Sequence, residues 1–161
     1  MAGSMKSVSI RLPKIQVAVN EKPIVDPQLE AKLKQPETIL AVDDDALVLD
    51  LYEKFMARWD CFFIKSQRVD DGLAIAKTTG ISLVLLDLRF PGHPLNGVDF
   101  LKEAGRLPRK PRIVVLTGYL GSKECEEAMA VGNYYVARKP YTREELDGIL
   151  RVNGIILRPR A

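Results

Sequence analysis

The sequence contains little cysteine, little histidine and no long apolar run. Its two cysteines, Cys61 and Cys125, match no metal-ligand spacing and no disulfide framework, so we expect both to be packing thiols. The single histidine, His93, lies among glycine and proline and is interpreted as an ordinary loop residue. No apolar run approaches the roughly 20 residues that span a bilayer, and the amino terminus lacks the layout of a signal peptide. These absences favour a cytoplasmic protein without a membrane segment.

Residues 38–150, the middle of the chain, also lack an excess of positive charge. The sequence has 24 Lys and Arg against 21 Asp and Glu, which gives a net charge of +3. All of this excess lies in residues 1–37 and 151–161, whereas residues 38–150 are slightly acidic. The distribution therefore gives no reason to expect direct binding of nucleic acid. We expect the basic carboxyl-terminal segment to be a solvated end.

What the sequence does contain is an alternation of strand-like and helix-like segments. With 161 residues, 47% of them hydrophobic, the chain is long enough for one compact domain and flanking segments. Short apolar runs alternate with amphipathic stretches through five β-α units. Because each parallel connection must cross over the sheet, the alternation predicts an α/β fold, a doubly wound five-stranded parallel sheet with helices on both faces.

The limits of these elements follow from periodicity and from capping residues. In the helix after the first strand, Leu47, Leu51 and Phe55 define the expected apolar face, and Val48, Tyr52 and Met56 widen it. We expect caps at Asp45, Asn96 and Ser122, and a capping box of Thr142 with Glu145. The predicted strands cover residues 38–42, 61–65, 81–86, 112–116 and 134–137, and the predicted helices cover 46–59, 69–79, 98–107, 122–131 and the stretch from Thr142 to Asn153.

Four of the strands end in residues suited to phosphate chemistry. Asp43 and Asp44 follow the first strand, Asp87 the third, Thr117 the fourth and Lys139 the fifth. The carboxyl ends of parallel strands line one edge of a sheet, so these residues should converge in a crevice. Two carboxylates about 4 Å apart repel by roughly 4 kcal/mol at an effective dielectric constant near 20, so a cation is expected among them. Mg²⁺ suits carboxylates, water and phosphate, and leaves one carboxylate free to attack phosphorus.

Taken singly, each of these residues has a structural explanation. Asp43, Asp44 and Asp45 can each cap the following helix, and we expect Asp45 to do so. Thr117 alone is an ordinary strand-end residue, and Lys139 alone an ordinary surface lysine. Only their joint spacing favours a common site.

Four short motifs carry a family resemblance. VDDD at 42–45, LLDLRFPG at 85–92, LTGY at 116–119 and KPY at 139–141 stand in the order and spacing of the receiver domain of two-component response regulators, which the chain resembles over about 38–150. The resemblance implies a flavodoxin-like sheet of strand order 2-1-3-4-5. It also implies a signalling domain, not an enzyme, that takes a phosphoryl group from a sensor histidine kinase or a histidine phosphotransfer protein.

The resemblance implies a role for each acidic residue. Asp87 matches the phosphoacceptor of the family. Asp44 would bind Mg²⁺, or Mn²⁺, directly, and Asp43 mainly through water. Asp87 itself and the backbone carbonyl of Arg89 would complete the protein ligands.

The resemblance also implies a switch. Thr117, with Gly118 beside it, matches the hydroxyl that binds the phosphoryl group, and Lys139 matches the lysine that pairs with it. Pro140 matches a proline usually preceded by a cis peptide bond, which would aim Lys139 into the site.

Three features depart from the family pattern. Residues 93–97 make the loop after the acceptor two residues longer than usual, either as a tolerated insertion or as a change in partner docking. Val136 stands where the family often has an aromatic toggle, and Tyr135 should project to the other face of its strand. Arg89 and Tyr119 are placed to lean over the acyl phosphate, so we expect them to obstruct water and lengthen its lifetime.

The flanks leave several alternatives open. Residues 1–37 form an extension whose first four residues look like a cloning remnant, followed by a proline-punctuated arm that is flexible or bound to a partner. Residues 38–152 form the receiver, and 153–161 a basic tail too short for an output domain. The chain is then a single-domain regulator or a fragment of a larger regulator or hybrid kinase. In the family, the face made by the fourth helix, fifth strand and fifth helix, here about 122–152, commonly dimerises or meets partners.

A remote alternative comes from another class of protein. Asp43 and Asp45 also spell the nucleophile and acid of a haloacid dehalogenase-type phosphatase. That interpretation leaves Asp87 without a role.

Overall fold

The structure, a computed structural model, describes residues 26–78 and 80–161. Helix α1 spans Pro27–Lys34, and Lys34–Ala161 form one compact unit. Most of the proline-punctuated arm lies outside the described residues. No helix in the described part of the chain is long and apolar enough to cross a membrane.

Five parallel strands form the sheet, in the order β2-β1-β3-β4-β5. This arrangement confirms the predicted doubly wound, flavodoxin-like fold. The order places β1 and β3 side by side in the middle of the sheet, with β2 and β5 at its edges. The strands are β1 Glu37–Val42, β2 Cys61–Ser66, β3 Leu83–Leu86, β4 Ile113–Thr117 and β5 Tyr135–Arg138.

The helices that connect and follow these strands begin where the sequence predicts. Each expected cap accepts hydrogen bonds from the backbone of the first turn, and the box of Thr142 with Glu145 is complete. Asn96 forms a second capping box with Asp99. The helices are α2 Ala46–Met56, α3 Val69–Thr78, α4 Gly97–Ala104, α5 Lys123–Val131 and α6 Arg143–Val152.

Alternate side chains of each strand fill two separate cores. Leu40, Val42 and Leu86 pack on one face of the sheet, where α3, α4 and α5 lie. Ile39 and Leu85 pack on the other face, where α2 and α6 lie. Both cysteines are buried and unpaired, one in each core, which confirms them as packing thiols.

The buried face of α2 differs in part from the predicted one. Tyr52 and Met56 are buried as expected, but Leu49 is buried in addition, and Leu47, assigned to the apolar face from its spacing, is 79% exposed. The start of this helix is apolar on nearly every side, so periodicity alone does not select one face. The consequence is that Tyr52, at the centre of the true face, points into the molecule.

The carboxyl-terminal segment is not a solvated end, so that expectation is wrong. Ile155 and Leu157 are buried in the core that contains α2 and α6. Trp59 pairs with Pro159 as an antiparallel bridge, and the N–H of Asp60 donates to the carbonyl of Arg158 at 2.7 Å. The segment packs on the domain because its apolar side chains enter this core and its backbone bonds to Trp59 and Asp60, just after α2.

Candidate functional site

The site lies at the carboxyl edge of the sheet, where hydrogen bonding continues one residue beyond the strands. Val42 stands opposite Leu86 in the register of β1 and β3. The N–H of Asp87 donates to the carbonyl of Val42 at 2.9 Å, and the N–H of Lys139 donates to the carbonyl of Thr117 at 2.9 Å. The backbone ladder therefore fixes where the side chains of Asp87 and Lys139 begin.

Three carboxylates converge at this edge. Asp43 and Asp87 are 3% and 5% exposed, and Asp44 is half-buried. One oxygen from each lies within 4.8 Å of the others. A compact set of carboxylate oxygens is the donor set that Mg²⁺ prefers, so the residues fit the ion implied by the sequence.

Lys139 is the cation that this cluster already contains. Its ammonium lies 2.6 Å from Oδ2 of Asp43 and 3.3 Å from Oδ2 of Asp87. Oδ1 of Asp43 accepts a hydrogen bond from the N–H of Asp45 at 3.0 Å. Burial alone would lower the pKa of Lys139, but the hydrogen bond to Asp43 and the charge of Asp87 outweigh it and raise the pKa. The lysine therefore stays charged.

One ammonium does not compensate the buried acids. Burial raises the pKa of Asp87 to about 6, and the negative charge of Asp43 adds to the shift against the opposing effect of Lys139. Burial also raises the pKa of Asp43, although its hydrogen bond with Lys139 acts in the other direction. Both shifts show that the site holds more negative charge than the protein stabilises by itself.

These shifts predict how the stability of the metal-free protein depends on pH. The folded state keeps the proton of Asp87 up to about pH 6, whereas the unfolded chain releases it near pH 4, so the free energy of unfolding should fall between these values by about 2 kcal/mol. Denaturant unfolding from pH 4 to 7 in a chelator measures this slope.

The control for that prediction is Asp87→Asn, which removes the titrating group. The variant should have a flatter pH dependence and should be the more stable protein at pH 7. An identical slope in both proteins would contradict the assignment of the slope to Asp87.

Thr117 lies at the same edge, but its hydroxyl is engaged in its own loop. The residue is fully buried, and Oγ1 accepts from the N–H of Tyr119 at 3.2 Å and lies 3.3 Å from the carbonyl of Tyr119. No heavy atom lies within 4 Å of the position that a Cβ of Gly118 would occupy. Gly118, directly after the switch candidate Thr117, therefore lies in open space.

The expectation of a cis peptide bond before Pro140 is wrong. All peptide bonds of the described residues are trans, including that between Lys139 and Pro140. Lys139 nevertheless reaches Asp43 and Asp87, because its own backbone is fixed by the hydrogen bond to Thr117.

The longer loop after the third strand borders a cleft of about 190 Å³ formed by residues 88–91, 93–96 and Glu124. The ring of His93 stands edge-on to Phe90. Nε of Arg89 lies 3.9 Å from Oε1 of Glu124, and its side chain is 61% exposed. Tyr119 is 64% exposed, so the side chains of both residues proposed to cover the phosphate lie largely in solvent.

The fifth strand follows the expected alternation. Val136 is half-buried against the core that contains α4 and α5, whereas Tyr135 is 41% exposed. The ring of Tyr135 therefore lies on the opposite face of the sheet from the side chain of Val136, the residue three before Lys139.

Sequence reasoning missed one residue at the site. A Cβ on Gly97 would lie 2.1 Å from the carbonyl oxygen of Asp87, so only glycine lets α4 pack on the backbone of the acidic residue. The sequence signal for it was a glycine directly after the cap Asn96.

Comparisons with known proteins agree with this geometry. A family model described as response regulator receiver domain matches residues 39–151. The chain is 32% identical over 131 residues to the photosynthetic apparatus regulatory protein RegA of Cereibacter sphaeroides, covering 80% of this chain and 68% of RegA. It is 29% identical over 115 residues to transcription factor SKN7 of Saccharomyces cerevisiae, covering 70% of this chain but only 18% of SKN7.

Solved structures show the same fold. A CheY-like receiver domain protein of Methanospirillum hungatei has a TM-score of 0.64 at 22% identity, covering 73% of this chain and 93% of that one. Chemotaxis protein CheY4 of Vibrio cholerae has a TM-score of 0.62 at 22% identity, covering 73% and 98%. Because the family model spans nearly all of the folded unit, the chain belongs to the response regulator receiver domain family.

Proposed function

We propose that this chain accepts a phosphoryl group on Asp87 from a phosphohistidine partner and signals through a conformational change that depends on this modification. One observation carries the proposal. The Asp87 carboxylate is buried at an accessible sheet edge, clustered with two other acids and 3.3 Å from the ammonium of Lys139. A carboxyl with a strongly perturbed pKa beside a specific charge partner is a candidate reactive group.

The chain's own residues account for each part of the transfer. An oxygen of Asp87 attacks phosphorus, the P–N bond of the phosphohistidine breaks, and the imidazole leaves with the bonding electrons and takes up a proton. Lys139 donates to a phosphoryl oxygen. Asp44 directly, Asp43 mainly through water, Asp87 itself and the carbonyl of Arg89 would hold Mg²⁺ or Mn²⁺, which would neutralise the charge of the incoming phosphoryl group.

Thr117 is the proposed switch. Its hydroxyl would exchange the backbone of Tyr119 for a phosphoryl oxygen, and Gly118 beside it adds no side chain to the loop. Since Val136 replaces the family's aromatic toggle, we infer that this movement reaches the surface without one. The surface made by residues 122–152 is the proposed face for dimerisation or for partners.

The proposed phosphoryl donor is a sensor histidine kinase or a histidine phosphotransfer protein, and the proposed compartment is the cytoplasm. The chain acts either as a single-domain regulator or as the receiver of a larger regulator or hybrid kinase. The short span of the match to SKN7 supports the second arrangement as an alternative. In both cases no direct binding of nucleic acid by this chain is proposed.

The test is incubation with acetyl phosphate and Mg²⁺, followed by intact mass spectrometry and borohydride reduction to locate the acyl phosphate. The proposal expects one phosphoryl group at Asp87, lost when a chelator replaces Mg²⁺. No uptake by the folded protein, or uptake at another residue, would overturn it.

A further prediction concerns the lifetime of the modified state. Arg89→Ala and Tyr119→Ala should each speed dephosphorylation by about fivefold. Removing a shielding side chain should lower the barrier to attack by water by roughly 1 kcal/mol. Loss of the phosphoryl group after removal of the donor gives the rates. Lys123→Ala, which removes a surface cation paired with Glu127, is the matched control. Equal rates in all four proteins would show that neither side chain shields the phosphate.

A further inference from the structure

One backbone carbonyl beside the proposed switch residue is approached by three hydrogen-bond donors. The carbonyl oxygen of Tyr119 lies 3.3 Å from the backbone nitrogen of Ser122 and 3.3 Å from Oγ1 of Thr117. The thiol sulfur of Cys125 lies 3.8 Å from the same oxygen. A carbonyl oxygen has two lone pairs, so one of the three donors is surplus.

Two of these donors belong to the start of α5 and are fixed by it. Ser122 caps the helix, and the N–H of Cys125 donates to both the hydroxyl and the carbonyl of Ser122. Cys125 is 2% exposed, and its side chain tilts toward the amino terminus of the helix, which brings the thiol to the carbonyl of Tyr119. Thr117 instead ends β4, so its hydroxyl is the donor that can leave without moving the helix.

The other hydrogen bond of the Thr117 hydroxyl is also replaceable. Oγ1 accepts from the N–H of Tyr119 at 3.2 Å. Tyr119 is 64% exposed and the preceding Gly118 lies in open space, so water can accept from this N–H instead. Turning the hydroxyl away therefore leaves neither backbone group of Tyr119 without a partner.

We propose that Cys125 is a positioning residue for the switch, whose thiol holds the carbonyl of Tyr119 on α5 and so releases the hydroxyl of Thr117 for a phosphoryl oxygen. The inference rests on the proposed function. In the unmodified protein the thiol and the hydroxyl share one acceptor position, and in the modified protein the thiol has it alone. Cys125 thus favours the modified form, and it ties the switch to the first helix of the proposed partner face.

The S–H stretching band in the infrared spectrum measures this bond directly, because a stronger hydrogen bond lowers its wavenumber. The chain has two cysteines, so in Cys61→Ala the band belongs to Cys125 alone. Beryllofluoride, a phosphoryl mimic, should move the band to lower wavenumber when added with Mg²⁺, whereas Mg²⁺ alone should leave it in place. A band that stays in place overturns the proposal. So does a shift to higher wavenumber, which would mean that the loop follows Thr117 and leaves the thiol.

The second test compares the affinity for beryllofluoride of wild type and Cys125→Ala at saturating Mg²⁺. The variant lacks a donor that the carbonyl of Tyr119 needs most in the bound state, so its affinity should be about threefold weaker, at the low end of what one hydrogen bond contributes. Its affinity for Mg²⁺ alone should equal that of wild type. A merely structural role of Cys125 would lower the unfolding midpoint and leave the affinity for beryllofluoride unchanged.

Cys61→Ala is the matched control, because it removes the same thiol from the core on the other face of the sheet. Its affinity for beryllofluoride should equal that of wild type. Equal affinities in wild type and Cys125→Ala would overturn the role of Cys125 while leaving Asp87 as the acceptor. If the wild-type protein neither binds beryllofluoride nor takes up a phosphoryl group at Asp87, the proposed function fails, and this inference fails with it.

Discussion

Asp87→Asn should take up no phosphoryl group from acetyl phosphate under conditions in which the wild-type protein gains one. The carboxamide has no anionic oxygen with which to attack phosphorus, so the loss should be complete rather than partial. Because Asp87 carries a raised pKa, its replacement by a neutral group should leave the fold intact. Intact mass spectrometry measures the uptake, and circular dichroism the fold.

The matched control for this experiment is Asp45→Asn. Asp45 belongs to the same acidic run, but its side chain accepts from the N–H of Leu47 and caps α2 instead of joining the cluster of Asp43, Asp44 and Asp87. Asparagine caps a helix as well as aspartate does, so the variant should be phosphorylated like wild type. Uptake by Asp87→Asn, or loss of uptake in Asp45→Asn, would contradict the assignment.

The identity of the nucleophile, Asp43 or Asp87, separates the receiver from the phosphatase alternative. A phosphatase would use the carboxylate of Asp43 as its nucleophile, whereas the receiver would use that of Asp87. The phosphatase interpretation also leaves the buried Asp87 without a role. Phosphatase turnover abolished by Asp43→Asn would favour the alternative.

The fold and the acidic cluster were predictable because they depend on short sequence patterns and on the parallel arrangement of the strands. Each short apolar run ends at a polar residue, and the parallel order of strands brings those ends to one edge. The caps at Asp45, Asn96, Ser122 and Thr142 were predictable for the same reason, since a cap is decided within four residues.

The parts that sequence reasoning missed depend on distant partners. Ile155 and Leu157 pack beside α2, and the backbone that receives their segment, at Trp59, is about a hundred residues earlier. The exposure of Leu47 and the burial of Leu49 depend on which face of an almost wholly apolar helix meets the sheet. The bond between the Thr117 hydroxyl and the backbone of Tyr119 depends on the path of a loop.

Among the residues whose role depends on partners distant in sequence, Gly97 should have the largest effect on stability. An added Cβ would lie 2.1 Å from the carbonyl oxygen of Asp87 and 2.7 Å from Cα of Leu88. Both neighbours are backbone atoms, so no side chain can rotate to relieve the overlap. The first residue of α4 must therefore move away from the acceptor, or the acceptor must move with its strand.

Gly97→Ala should lower the free energy of unfolding by about 3 kcal/mol, at the upper end of what overpacking costs. It should also slow phosphorylation, because the carbonyl that would be displaced belongs to Asp87 itself. Denaturant unfolding gives the first quantity, and the rate of uptake from acetyl phosphate at saturating Mg²⁺ gives the second.

Gly148→Ala is the control for this substitution, since it makes the same chemical change inside α6 where no heavy atom lies within 4 Å of the new Cβ. Alanine is the better helix former there, so this variant should be more stable than wild type by about 0.5–1 kcal/mol. The opposite signs of the two changes would isolate the contact with Asp87 from any general effect of replacing glycine. If Gly97→Ala were as stable as wild type and were phosphorylated at the same rate, the close packing of α4 on Asp87 would not be what fixes the acceptor, and the longer loop before it would have to absorb the added carbon.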